Sequence, residues 1–444
     1  MKKTLCLALL LLPLWLAAQE LPFAVKARTR YSASGLVGYV DIESQRYYQT
    51  QLIQEFRLWK LGMGVDLDFL FDKHYHLRKE DWDHAADILD KIYYVKYAQK
   101  GDPFYFHVGG FPGLTVGYGL VMQNYSNMLL YPEIRNIGAM VGGSPRWPLN
   151  PSFEIFTSDI RKNEILAFTA RCRPLPDSTL SILDELTVGV SVVADRNQYA
   201  NLKRLEGLSA SSEFEELPAD PATIIGLAYT LPIIQTEKFQ IGQYAEFAHI
   251  AGYGSGAILP GFYAQIGHLK FNVEYRIYGS RFTPAFFNHD YEEERAYQPD
   301  GEAAKYITKE DAIKDFKPAQ GFNGSVQAYL FHRVKAQFNW QNMVGPELQT
   351  GRSIGMKVWV DTQYKRLENV SLSYSKNNTN SLAIVHVNQP NASVSATLTF
   401  RVSTKRWFLI AKYSESYKDR NGDGHVDWAR ETKRNGSMGL KYIY

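Results

Sequence analysis

Cysteine is nearly absent from this 444-residue sequence, which has only Cys6 and Cys172. Cys6 lies in an N-terminal apolar run expected to be removed. One thiol would then remain, which excludes an intramolecular disulfide framework, a CxxC redox pair and a cysteine zinc site. Beyond residue 20 no apolar stretch approaches the ~18 residues that would cross a bilayer as a helix. The formal charge is +3, from 49 Lys and Arg against 46 Asp and Glu. No basic stripe is present to meet nucleic acid. There is no GxSxG or HExxH, and His249, His268, His332 and His386 stand singly, so catalysis is not expected. No internal repeat or low-complexity linker cuts the chain.

What is present begins with a leader. Met1-Lys2-Lys3 gives a positive start, Leu5 to Leu16 an apolar run too short to span a bilayer, and Ala17-Ala18 the small residues before a cleavage point. Residues 1–19 therefore read as a cleaved signal peptide, cut after Ala18 or Gln19, and 20–444 as one exported domain. Cys6 sits too early to be a lipidated cysteine.

Aromatic content is high, with 29 Tyr, 24 Phe and 8 Trp, and Tyr and Trp favour membrane interfaces because one end is apolar and the other wet. Strict alternation recurs along the chain. Phe23, Val25, Ala27, Thr29 and Tyr31 oppose Lys26, Arg28 and Arg30. Leu61, Met63, Val65, Leu67, Phe69 and Phe71 oppose Gly62, Gly64, Asp66 and Asp68. Similar runs cover 322–330, 334–341 and 394–402. Period-2 segments of about ten residues suit tilted strands crossing a membrane. A secreted sandwich would alternate too, but its strands are usually shorter, and here the links at His332-Arg333 and Ser403-Thr404-Lys405 are very tight. The expected fold is all-β, an antiparallel transmembrane β-barrel of roughly 16–22 strands, an even number being favoured.

The last eight residues place Met438, Leu440, Tyr442 and Tyr444 on one face and Ser437, Gly439, Lys441 and Ile443 on the other. This ending, with Gly439, Tyr442 and Tyr444 at the key positions, resembles the C-terminal β-signal of Gram-negative outer-membrane barrels. The resemblance implies the cell outer membrane as location, with membrane lipid and the barrel assembly machinery as partners. Gly117-Tyr118-Gly119-Leu120 and the Tyr content also resemble, loosely, barrels of Bacteroidetes-type bacteria. With Tyr444 in the periplasm, the long connections 196–221, 283–319, 378–391 and 418–433 fall on the external face. Residues 80–92 carry Trp82, Ala85, Leu89 and Ile92 at helical spacing, which predicts a short amphipathic helix, placed by the same count at the periplasmic mouth. The glycine-rich stretch from Gly109 to Gly119 predicts either a kinked wall strand or a segment folded into the lumen.

Three constellations are candidate sites. Asp419, Asn421, Asp423 and Asp427, with Gly424 at the sixth position and the carbonyl of His425, follow the start of an EF-hand loop. Arg430 replaces the bidentate Glu, so any Ca2+ would bind weakly; the alternative is a plain turn of Asn-Gly and Asp-Gly pairs. Lys26, Arg28, Arg30, Asp41, Glu43, Asp66 and Asp68 fall on polar faces. They would either line a lumen with a transverse field or neutralise one another and fill it. The third is Phe286-Phe287-Asn288-His289-Asp290 followed by Tyr291-Glu292-Glu293-Glu294-Arg295, read as a solvated acidic lid in preference to a site for sugars or a cationic ligand. The function expected is a porin-like or selective passive channel for a small solute; the alternative is a filled barrel that displays loops for surface binding or assembly. A TonB-dependent transporter is disfavoured, since no plug domain precedes the first strand.

Overall fold

The computed structural model describes residues 31–443 except 43–44, 79–81, 83–90, 131–134, 177–181, 203–217, 298–305, 347–350, 365, 380–388, 403–405, 418–425 and 427–431. Twenty strands form one closed antiparallel sheet. The wall runs through β1 (Tyr31–Ile42), β2 (Gln45–Leu58), β3 (Leu61–Phe71), β4 (Ile92–Tyr97) and β5 (Tyr105–Gly109). The chain then leaves the wall for a two-stranded hairpin, β6 (Leu114–Val116) and β7 (Met122–Tyr125). It rejoins through β8 (Gly138–Gly143), β9 (Ser152–Thr157), β10 (Ile165–Cys172), β11 (Thr187–Asp195), β12 (Ala222–Gln235), β13 (Phe239–Ile250), β14 (Ser255–Ile266) and β15 (Leu269–Tyr278). A long connection carries α1 (Tyr291–Glu294), β16 (Ala296–Tyr297), β17 (Ile307–Thr308) and α2 (Lys309–Ala312). The wall finishes with β18 (Ala319–Leu330), β19 (Val334–Val344), β20 (Arg352–Tyr364), β21 (Leu367–Thr379), β22 (Ala392–Arg401), β23 (Trp407–Tyr417) and β24 (Thr432–Ile443). Pairing of β1 with β24, from Ser32 opposite Ile443 to Val37 opposite Met438, closes the barrel.

The alternation in sequence becomes an inside and an outside. Ile224 is fully buried, whereas its neighbour Ile225 is 43% exposed, as strand geometry requires when one face looks into a lumen and the other out. Outward residues such as Leu52, Phe168, Leu227, Phe247, Phe262, Phe322 and Leu372 form an exposed apolar belt. A soluble protein would not leave such a belt bare; a bilayer covers it. At the barrel end that holds the C-terminus, exposed Trp59, Phe104, Trp147, Phe331, Tyr364 and Trp407 sit in or beside the turns, as an interfacial aromatic girdle does.

Strand direction places the connections 72–91, 110–137, 196–221, 279–318, 380–391 and 418–431 at the opposite end; among long links only 173–186 lies with the C-terminus. The four loops expected on one face are thus together. The segment around Trp82 is not where the sequence count put it. Tyr31–Ile42 is a single strand, so 61–71 is the third described strand and ends at the loop-bearing end. The sequence count takes the Lys26–Arg30 segment as a first crossing and the Asp41 and Glu43 segment as a second, which makes 61–71 the fourth and inverts its side. Trp82 stacks on Phe69 with ring centroids 4.8 Å apart, and Phe69 belongs to the outward face of β3. The helix expected over 80–92 lies largely outside the described residues.

Candidate functional site: the lumen

The largest buried core of this protein lies inside the barrel. Phe111, Val116, Leu120, Val121, Met122 and Tyr125 from the inner hairpin segment pack against inward residues of β9 to β14, including Phe156, Ile165, Val193, Ile224, Tyr244 and Ile258. The 279–318 connection folds in beside them and buries Phe286, Phe287 and Tyr291 completely. Backbone bonds join the two segments: Ala285 N–H donates to Leu120 C=O at 2.8 Å and Gln123 N–H to Phe287 C=O at 3.0 Å. Fully burying each such ring contributes about 1.5–3 kcal/mol, so the fill is a structural element of the lumen. This selects the lumen-filling alternative for the glycine-rich stretch. It also corrects the solvated lid: Phe286, Phe287, Tyr291 and Glu292 are buried, because paired aromatic residues gain more from the enclosed wall than adjacent acids lose once those acids find partners.

Two polar nodes fix the fill. Glu246 on β13 accepts the Leu120 N–H at 2.9 Å, and a Cβ at Gly117, whose φ is +66°, would overlap its Oε1. Only glycine lets the hairpin backbone come that close at that dihedral. Tyr118 stacks on Tyr244 at 4.1 Å and hydrogen-bonds Thr230 on β12. The second node is Arg295, 0% exposed. Its guanidinium meets Glu164 at 2.8 Å, Asp195 at 3.4 Å and Glu292 at 3.4 Å. Tyr291 donates to Asp195 at 2.9 Å and Tyr125 hydrogen-bonds Glu292. A buried cation among carboxylates is tolerated only when it is paired in this way. Nearby, burial raises the Glu310 carboxyl to about 7, and the charges of Asp220 and Asp311 push in the same direction.

The other sector of the lumen differs. Inward Gln327, Lys335, Gln337, Lys357, Ser371, Ser373, Ser395, Lys412, Ser414 and Lys441 are partly accessible, and Asn339 is exposed, whereas inward positions from β9 to β14 are mostly closed by the fill. Hydroxyl pairs Ser373–Ser395 at 2.6 Å and Ser375–Ser393 at 2.7 Å run up the wall. The barrel is therefore packed on one side and polar and accessible on the other.

Of the sequence candidates, Asp66 and Asp68 face inward and are buried. Gln51 donates to Asp66 at 3.0 Å and Gln49 to Asp68 at 2.8 Å; Arg135 stands 4.0 Å from Asp66. Asp41 lies in β1, but its side chain, together with Lys26, Arg28, Arg30 and Glu43, lies outside the described residues. So do Asp419, Asn421, Asp423, His425 and Asp427, and Tyr444. Gly439 faces inward and Tyr442 pairs with Trp407, ring centroids 5.0 Å apart, on the outer face. Sequence reasoning missed Glu246, which belongs to no local motif, and placed Arg295 in the acidic run without its role as a buried anchor. It also missed Lys335, Lys357 and Lys412, each already on the polar face of an alternating run.

A closed antiparallel wall with an apolar belt, an aromatic girdle and a polar, half-filled lumen defines a transmembrane β-barrel of the Gram-negative outer membrane. Neither a protein-family model nor a curated protein matches the sequence. Similar solved structures include OccAB3 of Acinetobacter baumannii, 10% identical over 93% of this chain and 98% of that one, TM-score 0.37. Another is the siderophore receptor PirA from Pseudomonas aeruginosa, 9% identical over 94% of this chain and 81% of that one, TM-score 0.42. A third is CdiB from Acinetobacter baumannii, 7% identical with TM-score 0.28, where 94% of this chain spans 60% of that one.

Proposed function

We propose that this protein is a passive, porin-like channel for a small hydrophilic solute. The observation that carries the reading is the division of the lumen: most inward residues from β18 to β24 are polar and partly accessible while the opposite sector is packed. A barrel that served only to display loops would gain from filling both sectors with apolar contacts. The packed sector narrows the bore and sets a rigid inner edge, and fixed charges along the accessible wall bias which solute passes. The reading is non-enzymatic, with export by a cleaved leader over residues 1–19 and insertion through the C-terminal strand.

Reconstitution of the full chain into planar bilayers tests it. Folded protein, identified by heat-modifiable migration, should give discrete conductance steps. Folded protein that never conducts would favour the display of external loops instead.

A further inference from the structure

We propose that Lys335, Trp359 and Lys357 form an anion-binding station on the accessible wall of the lumen, one that takes the carboxylate or phosphate group of a small solute. The proposal deepens the channel reading and rests on it for the solute's passage, though not for binding itself. Trp359 on β20 pairs directly with Lys335 on β19, and Lys357 precedes it by two residues on the same strand, so all three share the inward face. The Lys335 ammonium lies 4.7 Å from the Trp359 ring centroid and that of Lys357 4.8 Å. Two cations thus lean on one indole, and Lys335 also lies 5.5 Å from the Tyr329 ring.

An aromatic face attracts each ammonium but carries no net charge, and an oxyanion that enters between the two ammonium groups is attracted by both. The indole is 4% exposed, and its Nε1–H has no hydrogen-bond partner among the described residues. A buried donor left unpaired is unusual, and an anion oxygen would satisfy it. Neutral donors surround the station: Gln337 is opposite Lys357, and Ser371 and Ser373 on β21 are opposite Trp359 and Lys357. Asp361 lies on the same face of β20, two residues beyond Trp359 toward the turn. Lys412 and Lys441 extend the positive surface on β23 and β24, while Glu55, Asp66 and Asp68 lie on β2 and β3.

Inorganic phosphate is the probe. Full-length protein folded in detergent is titrated with phosphate, and tryptophan emission is read as the difference between wild type and Trp359→Phe, with heat-modifiable migration confirming that each variant folds. A saturable change is expected in wild type and its loss in Lys335→Gln/Lys357→Gln. In bilayers, the same double variant should lower the chloride-to-potassium permeability ratio by about threefold to fivefold, the size expected for removing two partly screened unit charges from a bore. A phosphate response that survives in the double variant, or is absent from folded wild type, overturns the station even if the protein conducts. A lysine-dependent response in protein that does not conduct sustains the station and removes the channel reading.

Discussion

Replacing Arg295 with Met keeps most of its volume and removes its charge, leaving Glu164, Asp195 and Glu292 facing one another without their shared cation. Breaking a buried ion pair from one side typically costs about 3–5 kcal/mol, because the abandoned charge stays buried. The loss falls on the docking of the 279–318 segment, since the twenty-strand wall has its own hydrogen-bond ladder. Against it stand the fully buried Phe286, Phe287 and Tyr291, worth roughly 1.5–3 kcal/mol each before ordering costs. The variant barrel should stay closed while its fill opens far more often. At 1.4 kcal/mol per factor of ten, protection falls by about a hundredfold to several thousandfold. Hydrogen exchange at Ala285, Phe287 and Gln123 reports this, because those amides bridge the two inner segments. A loss below tenfold, with Val193 in the wall equally protected in both proteins, would mean that apolar packing alone holds the fill and that Arg295 is not its anchor.

Substituting Gly117 with Ala should loosen the inner hairpin, with roughly 1–2 kcal/mol of left-handed backbone strain and about 1.5–3 kcal/mol from the displaced Glu246 hydrogen bond; faster exchange at the Leu120 amide measures it. The Glu310 carboxyl is raised from 4.5 to about 7, so the folded loop holds its proton more tightly than the unfolded chain. The resulting stabilisation is complete below pH 4.5 and is lost as pH rises toward about 7. Exchange at Ile313 should therefore be slower at pH 5 than at pH 8, beyond the intrinsic rate change, and Glu310→Gln should abolish the difference. In the 419–427 loop, weak calcium binding at roughly 10⁻⁴ to 10⁻³ M should protect Lys418 to Arg434 from proteolysis; identical cleavage with calcium, with chelator and in Asp423→Ala leaves an ordinary turn. Removing Tyr442 to Tyr444 should block assembly, read as loss of heat-modifiable protein from the membrane fraction.

The wall was legible because a lipid-facing strand must alternate, and period 2 survives in a single sequence. Leu61 to Phe71 showed both its faces, and Met438, Leu440 and Tyr442 showed theirs. The count slipped at residues 31–42, where inward Ser32, Ser34 and Leu36 and outward Ala33 and Gly35 differ too little in polarity to mark one continuous strand. The fill was half legible: glycines at 109–119 announced close backbone approach, but not where the backbone would go. Arg295 was visible at the end of the acidic run, but its role was not, since Glu164 and Asp195 stand 131 and 100 residues away and no spacing rule links them. Glu292 to Glu294 read as solvated because local acidity was visible, while the distant wall carboxylates that draw Arg295, and with it Glu292, into the lumen were not.

The wall is uneven in height. β5 has 5 residues and β4, β8 and β9 have 6 each, while β1 has 12 and β2 has 14. At about 3.4 Å per residue and a 45° tilt, a five-residue strand rises roughly 12 Å and a twelve-residue strand roughly 29 Å. Next to β4 a single backbone bond, Asp66 N–H to Lys91 C=O at 2.7 Å, extends the tie to β3. A hydrocarbon slab about 25 Å thick therefore meets regular strand over its full depth on one flank and over half of it on the other. Lipids accommodate such mismatch by thinning or by letting the protein tilt, at fractions of a kcal/mol per Å. This barrel should lean toward its short flank, and its tilt should follow the acyl-chain length of the bilayer that holds it.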